Sequence, residues 1–109
     1  SGYSGAATAS GYSGAATASG DSGAATASGR YGAATASGRY GAATASGEKS
    51  VAVASGFAGK ASGALGNVLF LIERDTDWNI VGHTSVQVDG ELVKVDTFYA
   101  LRGGKVVEA

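Results

Sequence analysis

Residues 1–9 read Ser1-Gly2-Tyr3-Ser4-Gly5-Ala6-Ala7-Thr8-Ala9, and the same unit, Ser-Gly-x-x-Gly-Ala-Ala-Thr-Ala, begins again at Ser10, Ser19, Ser28 and Ser37. Two looser copies follow, SGEKSVAVA over Ser46–Ala54 and SGFAGKASG over Ser55–Gly63. A strict short period means one structural unit stacked many times, which predicts a parallel β-solenoid or β-roll. Within the unit, Gly-x-x-Gly reads as a tight turn, with glycine supplying positive φ. The intervening Gly-Ala-Ala-Thr-Ala-Ser reads as a short strand. Its alternation puts Ala7 and Ala9 on one face and Ala6, Thr8 and Ser10 on the other. In the sixth copy Val51 and Val53 replace Ala and Thr, while Ala52 and Ala54 hold the opposite face. Both faces are therefore small or apolar, the pattern of a strand covered on both sides.

The period leaves the residues per turn open. Nine give a very thin coil; eighteen give a two-sheet roll with turns on both edges. The calcium-binding nonapeptide roll has the second geometry but needs an Asp in each loop. Asp21 alone sits in a loop of the perfect copies, which argues against calcium. Alanine buries little area, at ~25 cal/mol per Å², whereas ordering each residue costs roughly 1–2 kcal/mol. A lone coil of Gly, Ala and Ser is marginal on those terms. Homo-oligomerisation is the expected remedy, a trimer the specific expectation. Ala7, Thr8, Ala9, Val51 and Val53 are the candidate core or oligomer faces.

Composition divides the 109 residues at a clear point. Residues 1–66 are almost all Gly, Ala, Ser and Thr, the solenoid; residues 67–109 resemble an ordinary small β domain, the expected cap. The first part carries four basic and two acidic side chains, net +2, and the second four basic and seven acidic, net −3. Neither has the basic stripe that nucleic-acid binding needs. There is no cysteine, hence no disulfide or thiolate site. No signal peptide is visible, and the longest apolar run, Val68-Leu69-Phe70-Leu71-Ile72, is too short to span a membrane. Residue 1 falls inside a perfect repeat, so a fragment of a longer protein is expected.

Residues 67–109 read as an antiparallel meander. Val68–Ile72 and Ile80–Val88 form its first strands, joined through the turn residues Asp75-Thr76-Asp77-Trp78-Asn79. Asp89-Gly90 is a two-residue hairpin signal leading to a strand over Glu91–Val95. Thr97–Leu101 and Lys105–Val107 flank a second hairpin at Gly103-Gly104. Such a segment would cap the unpaired edge that ends a solenoid.

Two resemblances rest on these residues. Ser50–Gly66, SVAVASGFAGKASGALG, resembles the head repeats of trimeric autotransporter adhesins, whose repeat is longer; it implies a β-roll and favours a trimer. More of the chain is similar to bacterial and phage proteins built on nonapeptides of the GxxSAATxT type with a C-terminal β cap. That similarity rests on Lys60-Ala61-Ser62-Gly63-Ala64-Leu65-Gly66 and on the run from Val88-Asp89-Gly90-Glu91 through Asp96-Thr97-Phe98-Tyr99 to Glu108. It implies an architecture and no activity.

Catalytic chemistry finds little footing. His83, the one histidine, stands two residues from Ser85 on one strand, with Asp89 and Asp96 as candidate partners, but with neither a nucleophile elbow nor an oxyanion donor. Glu73, Asp75 and Asp77 have the donor type of a hard-cation site but read better as a solvated turn. No phosphate loop, metal motif or cofactor motif is present. The variable unit positions are more informative: Tyr3, Tyr12, Arg30, Tyr31, Arg39 and Tyr40 face solvent or a partner. Stacking of Tyr3 on Tyr12, Arg30 on Arg39 and Tyr31 on Tyr40 is the expected ladder. The expected function is a non-enzymatic structural or surface module, a stalk or spike, extracellular or on a virion. Alternatives are a glycan- or protein-binding module using the Tyr/Arg edge, a filament subunit, and an ice-binding solenoid using the Thr rows.

Overall fold

The structure, a computed structural model, describes residues 5–109. Each copy of the unit contributes one four-residue strand: β1 Ala6–Ala9, β2 Ala15–Ala18, β3 Ala24–Ala27, β4 Ala33–Ala36, β5 Ala42–Ala45, β6 Val51–Ala54 and β7 Lys60–Gly63. Odd-numbered strands pair in parallel in one sheet, here sheet A, and even-numbered strands in sheet B. Ala6 lies opposite Ala24, Ala24 opposite Ala42, and Thr17 opposite Thr35. The coil therefore advances one turn every eighteen residues, two units per turn, and the chain is an all-β solenoid.

Alternation decides what each sheet buries. Ala16, Ala18, Ala25, Ala27, Ala34, Ala36, Ala43, Ala45, Ala52 and Ala54 point inward and are almost wholly buried. Ala7 and Ala9 pack partly against them. The other face of each strand, Ala and Thr in the perfect copies, turns outward. Among the residues read as core or oligomer faces, Ala7 and Ala9 thus line the interior, while Thr8 lies on the outside of sheet A and Val51 and Val53 on the outside of sheet B.

The turns work differently from the expectation that glycine supplies their positive φ. Gly14 N–H donates to the carbonyl of Gly11 at 3.2 Å, closing a four-residue turn. The residue at positive φ is the fourth of the unit, Ser13, Ser22, Tyr31, Tyr40, Lys49 or Ala58, at 54–62°. A left-handed non-glycine residue costs roughly 1 kcal/mol. What offsets it is the next turn: Ser13, Ser22, Tyr31 and Tyr40 donate their N–H groups to the carbonyls of Arg30, Arg39, Glu48 and Phe57 at 2.7–2.9 Å. The first glycine of the unit is required for a separate reason. A Cβ on Gly38 would stand 2.6 Å from the carbonyl carbon of Gly20 and closer still to its oxygen. Turn rests on turn through bare backbone.

The C-terminal end is built larger. β8, Val68–Arg74, pairs in parallel with β6, but Val51 faces Val68, a step of seventeen residues. The strand read as the start of the meander thus also extends sheet B of the solenoid. At the shortened step Asn67 is buried, receiving the Ser50 N–H on Oδ1 (3.1 Å) and donating from Nδ2 to the carbonyls of Ala45 (2.8 Å) and Gly47 (2.7 Å). Ser50 is buried too, its hydroxyl accepting the Gly32 N–H at 3.1 Å and donating to the Gly29 carbonyl. Leu69 and Leu71 replace alanine inside. The facing strand gives way: the last residue of β7 is Gly63, whose Cβ would meet Leu69 Cδ2 at 3.3 Å.

Each sheet then ends in an antiparallel hairpin. β9, Ile80–Gln87, pairs with β8; β10, Tyr99–Arg102, pairs with β11, Lys105–Glu108, around Gly103 and Gly104, both at positive φ. β10 also meets β7, Tyr99 opposite Ala61. The expected hairpin at Asp89-Gly90 and strand at Glu91–Val95 do not form. The segment 88–98 is instead a loop that crosses from one sheet to the other. Asp89 Oδ1 accepts the N–H groups of Glu91 (2.8 Å) and Val93 (3.1 Å), which curls the chain rather than extending it. Val88 and Val93 are buried beneath it.

The glycine column yields a paired test. Gly38→Ala is expected to destabilise the fold by about 3 kcal/mol, as overpacking against backbone does. Gly11→Ala, at the same unit position but with nothing within 4 Å of its added Cβ, should change stability by less than ~0.5 kcal/mol. Equilibrium denaturant unfolding of both variants measures the difference.

Candidate functional site: turn edges and outer faces

Two units per turn send alternate turns to opposite edges. Tyr12-Ser13, Arg30-Tyr31 and Glu48-Lys49 share one edge; Asp21-Ser22, Arg39-Tyr40 and Phe57-Ala58 share the other. The expected stacks of Arg30 on Arg39 and Tyr31 on Tyr40 are therefore absent, because those residues lie on different edges. Tyr3 lies outside the described residues.

Neighbours on an edge are eighteen residues apart, or close to it, and their side chains complement each other. The Arg30 guanidinium sits 5.7 Å from the Tyr12 ring centroid, and Nη2 lies 3.8 Å from Glu48 Oε1. Lys49 Nζ is 6.0 Å from the Tyr31 ring. On the other edge Tyr40 meets Phe57 edge-on at 6.1 Å, and Phe57 meets Trp78 at 6.4 Å. Trp78 belongs to the β8–β9 turn, so this row runs from the repeats onto the cap. Sequence reasoning placed Trp78 in a turn without connecting it to Tyr40 and Phe57. The signal that finds it is the eighteen-residue step, which carries Tyr40 to Ala58, beside Phe57, and from there toward the β8–β9 turn.

The outer faces also separate. On sheet A the Thr row is Thr8, Thr26 and Thr44, ending at Ser62, whose Oγ lies 3.2 Å from Thr44 Oγ1. On sheet B the row is Thr17, Thr35, Val53 and Phe70, beside Ala15, Ala33, Val51 and Val68. Sheet B thus becomes progressively more apolar toward the cap, and none of these strand positions is charged. Sheet A carries Lys60, stacked 4.8 Å from the Phe98 ring.

The candidate catalytic and cation-binding groups do not converge. His83 and Ser85 are exposed on β9, opposite Ile72 and Phe70. Glu73 accepts the N–H groups of Gly103 (2.8 Å) and Gly104 (3.1 Å), tying one hairpin to the other. Asp75 closes its own turn, accepting from the backbone N–H groups of Asp77 and Asn79 at 2.9 Å. Among the described residues no three His, Cys, Asp or Glu side chains gather as metal ligands. No helix of the described chain is long and apolar enough to cross a membrane.

Compared with family models, with curated proteins and with solved structures, the chain matches none. Its site is therefore read from its own geometry.

Two carboxyls carry a pH dependence. Asp75 is held below the usual carboxylate range by the Asn79 side-chain amide and then the Asn79 N–H. Asp89 is held below it by the N–H of Glu91, then that of Val93. A carboxyl with a depressed folded pKa contributes stability above its unfolded value, near 4, and loses it as pH falls through the folded value. The melting temperature is expected to fall as pH drops below about 4. Converting Asp75→Asn and Asp89→Asn together should flatten that fall; an unchanged profile in the double variant would refute the assignment.

Proposed function

We propose that the chain is a non-enzymatic structural module: a stiff, repeat-built stalk or spike segment of a bacterial or virion surface, completed by sister copies, three in number. The observation that supports this reading is the outer face of sheet B. Val51, Val53, Val68, Phe70 and Ile72 lie together there, Phe70 40% exposed, on strand positions free of charge. An extended apolar face on so thin a body, 16 Å across its shortest axis, is the type of surface that another protein surface covers. A second copy has the same flat pleat and the same rows of small residues.

A second reading, recognition of a glycan or protein by the turn edges, is favoured by one observation. The two ion pairs of the described residues are Arg30–Glu48 and Lys94–Glu108, so Arg39 stands among exposed aromatic rings without a carboxylate partner.

Light scattering on the eluting protein tests the first reading. Three chain masses of 10.6 kDa are expected. Val53→Glu should reduce the particle to single chains, since it places a charge in the buried face, with the β circular-dichroism signal retained. A folded single-chain mass for the unmodified protein would overturn the proposal.

A further inference from the structure

One edge of the solenoid gathers a cleft from three successive turns. Arg39 and Tyr40 come from the turn before β5, Phe57 from the turn before β7, and Thr76 and Trp78 from the turn between β8 and β9. These five residues line a shallow cleft of about 220 Å³. Tyr40 is 55% exposed and Trp78 36%, so parts of both rings face solvent. The indole is held from beside: the Arg74 guanidinium lies 5.6 Å from its ring, Arg74 Nη1 donates to the Trp78 carbonyl at 2.8 Å, and Nε donates to the Ser55 carbonyl. Trp78 sits at φ 66°, an unusual conformation for so bulky a residue. The Asp75 turn and Arg74 together fix it there.

The arginines of the two edges differ in what they meet. Arg30, on the opposite edge, lies between Tyr12 and Glu48. Arg39 has no such partner among the described residues. Asp21, one turn away on its own edge, is beyond ion-pair distance. A guanidinium open to an anion, beside a row of aromatic rings with a hydroxyl at its margin, defines a ligand with three properties. It has an apolar face to lie on rings, a polar rim to meet Thr76 and the Tyr40 hydroxyl, and a carboxylate for Arg39.

We propose that this cleft binds an acidic saccharide, with a uronic-acid ring lying against the Tyr40–Phe57–Trp78 row and its carboxylate on Arg39. This deepens the second reading above and is independent of the number of chains in the particle. Charge complementarity selects the occupant: a neutral sugar leaves Arg39 unanswered, and a carboxylate supplies its partner. The anchors are already fixed by the coil and by Arg74, so little ordering opposes binding.

Trp78 is the single tryptophan of the chain, so its fluorescence reads the cleft directly. The full chain is titrated with tri-galacturonic acid, with the matching neutral galactose trimer, and with a glutamate-rich peptide. Saturation-transfer NMR is recorded on the ligand ring protons. A saturable fluorescence change with the acidic trimer is expected, with the neutral trimer at least about tenfold weaker, the scale of one charge-assisted hydrogen-bond pair. Arg39→Gln should reduce the acidic trimer to the neutral level, and Tyr40→Ala should weaken both. Circular dichroism confirms that each variant is folded. Absence of saturable binding by the folded protein, equal affinity for the two trimers, indifference to Arg39→Gln, or tighter binding of the peptide would each overturn the proposal. Mass measured on the same samples separates the two readings. A monomer that binds the acidic trimer removes the sister-chain proposal alone, and a trimer that does not bind removes this one alone.

Discussion

Backbone contact between successive turns governs this fold. Gly29, Gly38, Gly47 and Gly56 each rest on the peptide carbonyl of the glycine eighteen residues earlier, with no room for a methyl group. That approach allows the fourth residue of each unit to pass its N–H to the turn above. It also holds the parallel strands in strict register, Ala on Ala and Thr on Thr. Parallel pairing needs identical geometry at every step, because a slip of one residue would turn the inward alanines out. The repeat is therefore strict where the chain touches its own backbone and variable where it meets solvent. Small inward side chains follow from the same constraint, since two sheets joined by such short turns leave little space between them. The fold rests more on a continuous backbone hydrogen-bond network than on buried area.

The cap shows what is needed to end such a structure. A column of alanines terminates in Leu69 and Leu71, and the facing strand supplies Gly63 to make room. The step between β6 and β8 loses one residue, which would leave backbone groups of the last turns unpaired. Asn67 and Ser50 satisfy them: one amide side chain receives one N–H and donates to two carbonyls, and one hydroxyl continues the same line. No buried side-chain polar atom is left without a partner among the described residues. Beyond this point both sheets continue as antiparallel hairpins, tied together by Glu73 and by the loop over Val88 and Val93. The change from parallel to antiparallel pairing accompanies the change from alanine to branched and aromatic side chains.

Much of this was legible in the residues themselves. A nine-residue period with alternating small side chains specifies stacked short strands but leaves both faces small or apolar; the structure puts Ala52 and Ala54 inside and Val51 and Val53 outside. The period alone does not specify two units per turn, because each unit is a complete turn and strand either way. The variable positions contain the missing fact. Tyr12, Arg30 and Glu48 make chemical sense as a column, as do Tyr31 with Lys49, whereas Arg30 over Arg39 does not. The tail was less legible. Asp89-Gly90 carries the residues of a hairpin, yet the Asp89 carboxylate bonds two residues and four residues ahead and curls the chain. That choice depends on the open end of the core, which needs Val88 and Val93 as a lid, and no local pattern reports it.

The columns also separate two kinds of surface that a repeat protein must keep distinct. A strand position repeats its neighbour, so whatever it carries is multiplied into a face; small uncharged residues there yield a flat surface suited to a partner of the same flatness. A turn position is free of the register, so residues one turn apart can differ and answer one another. Arg30 meets Tyr12 and Glu48 within its own column. Tyr40, Phe57 and Trp78 form a row in which the cation, Arg39, stands at the side. The row ends on Trp78, fixed by Arg74 and by the Asp75 turn of the cap. The cap thus does more than close the coil: it supplies the last ring and the outer wall of the edge on which Arg39 has no carboxylate partner among the described residues. The strand faces and the turn edges are therefore different surfaces by construction, and the proposed oligomer contact and the proposed ligand contact are independent of each other.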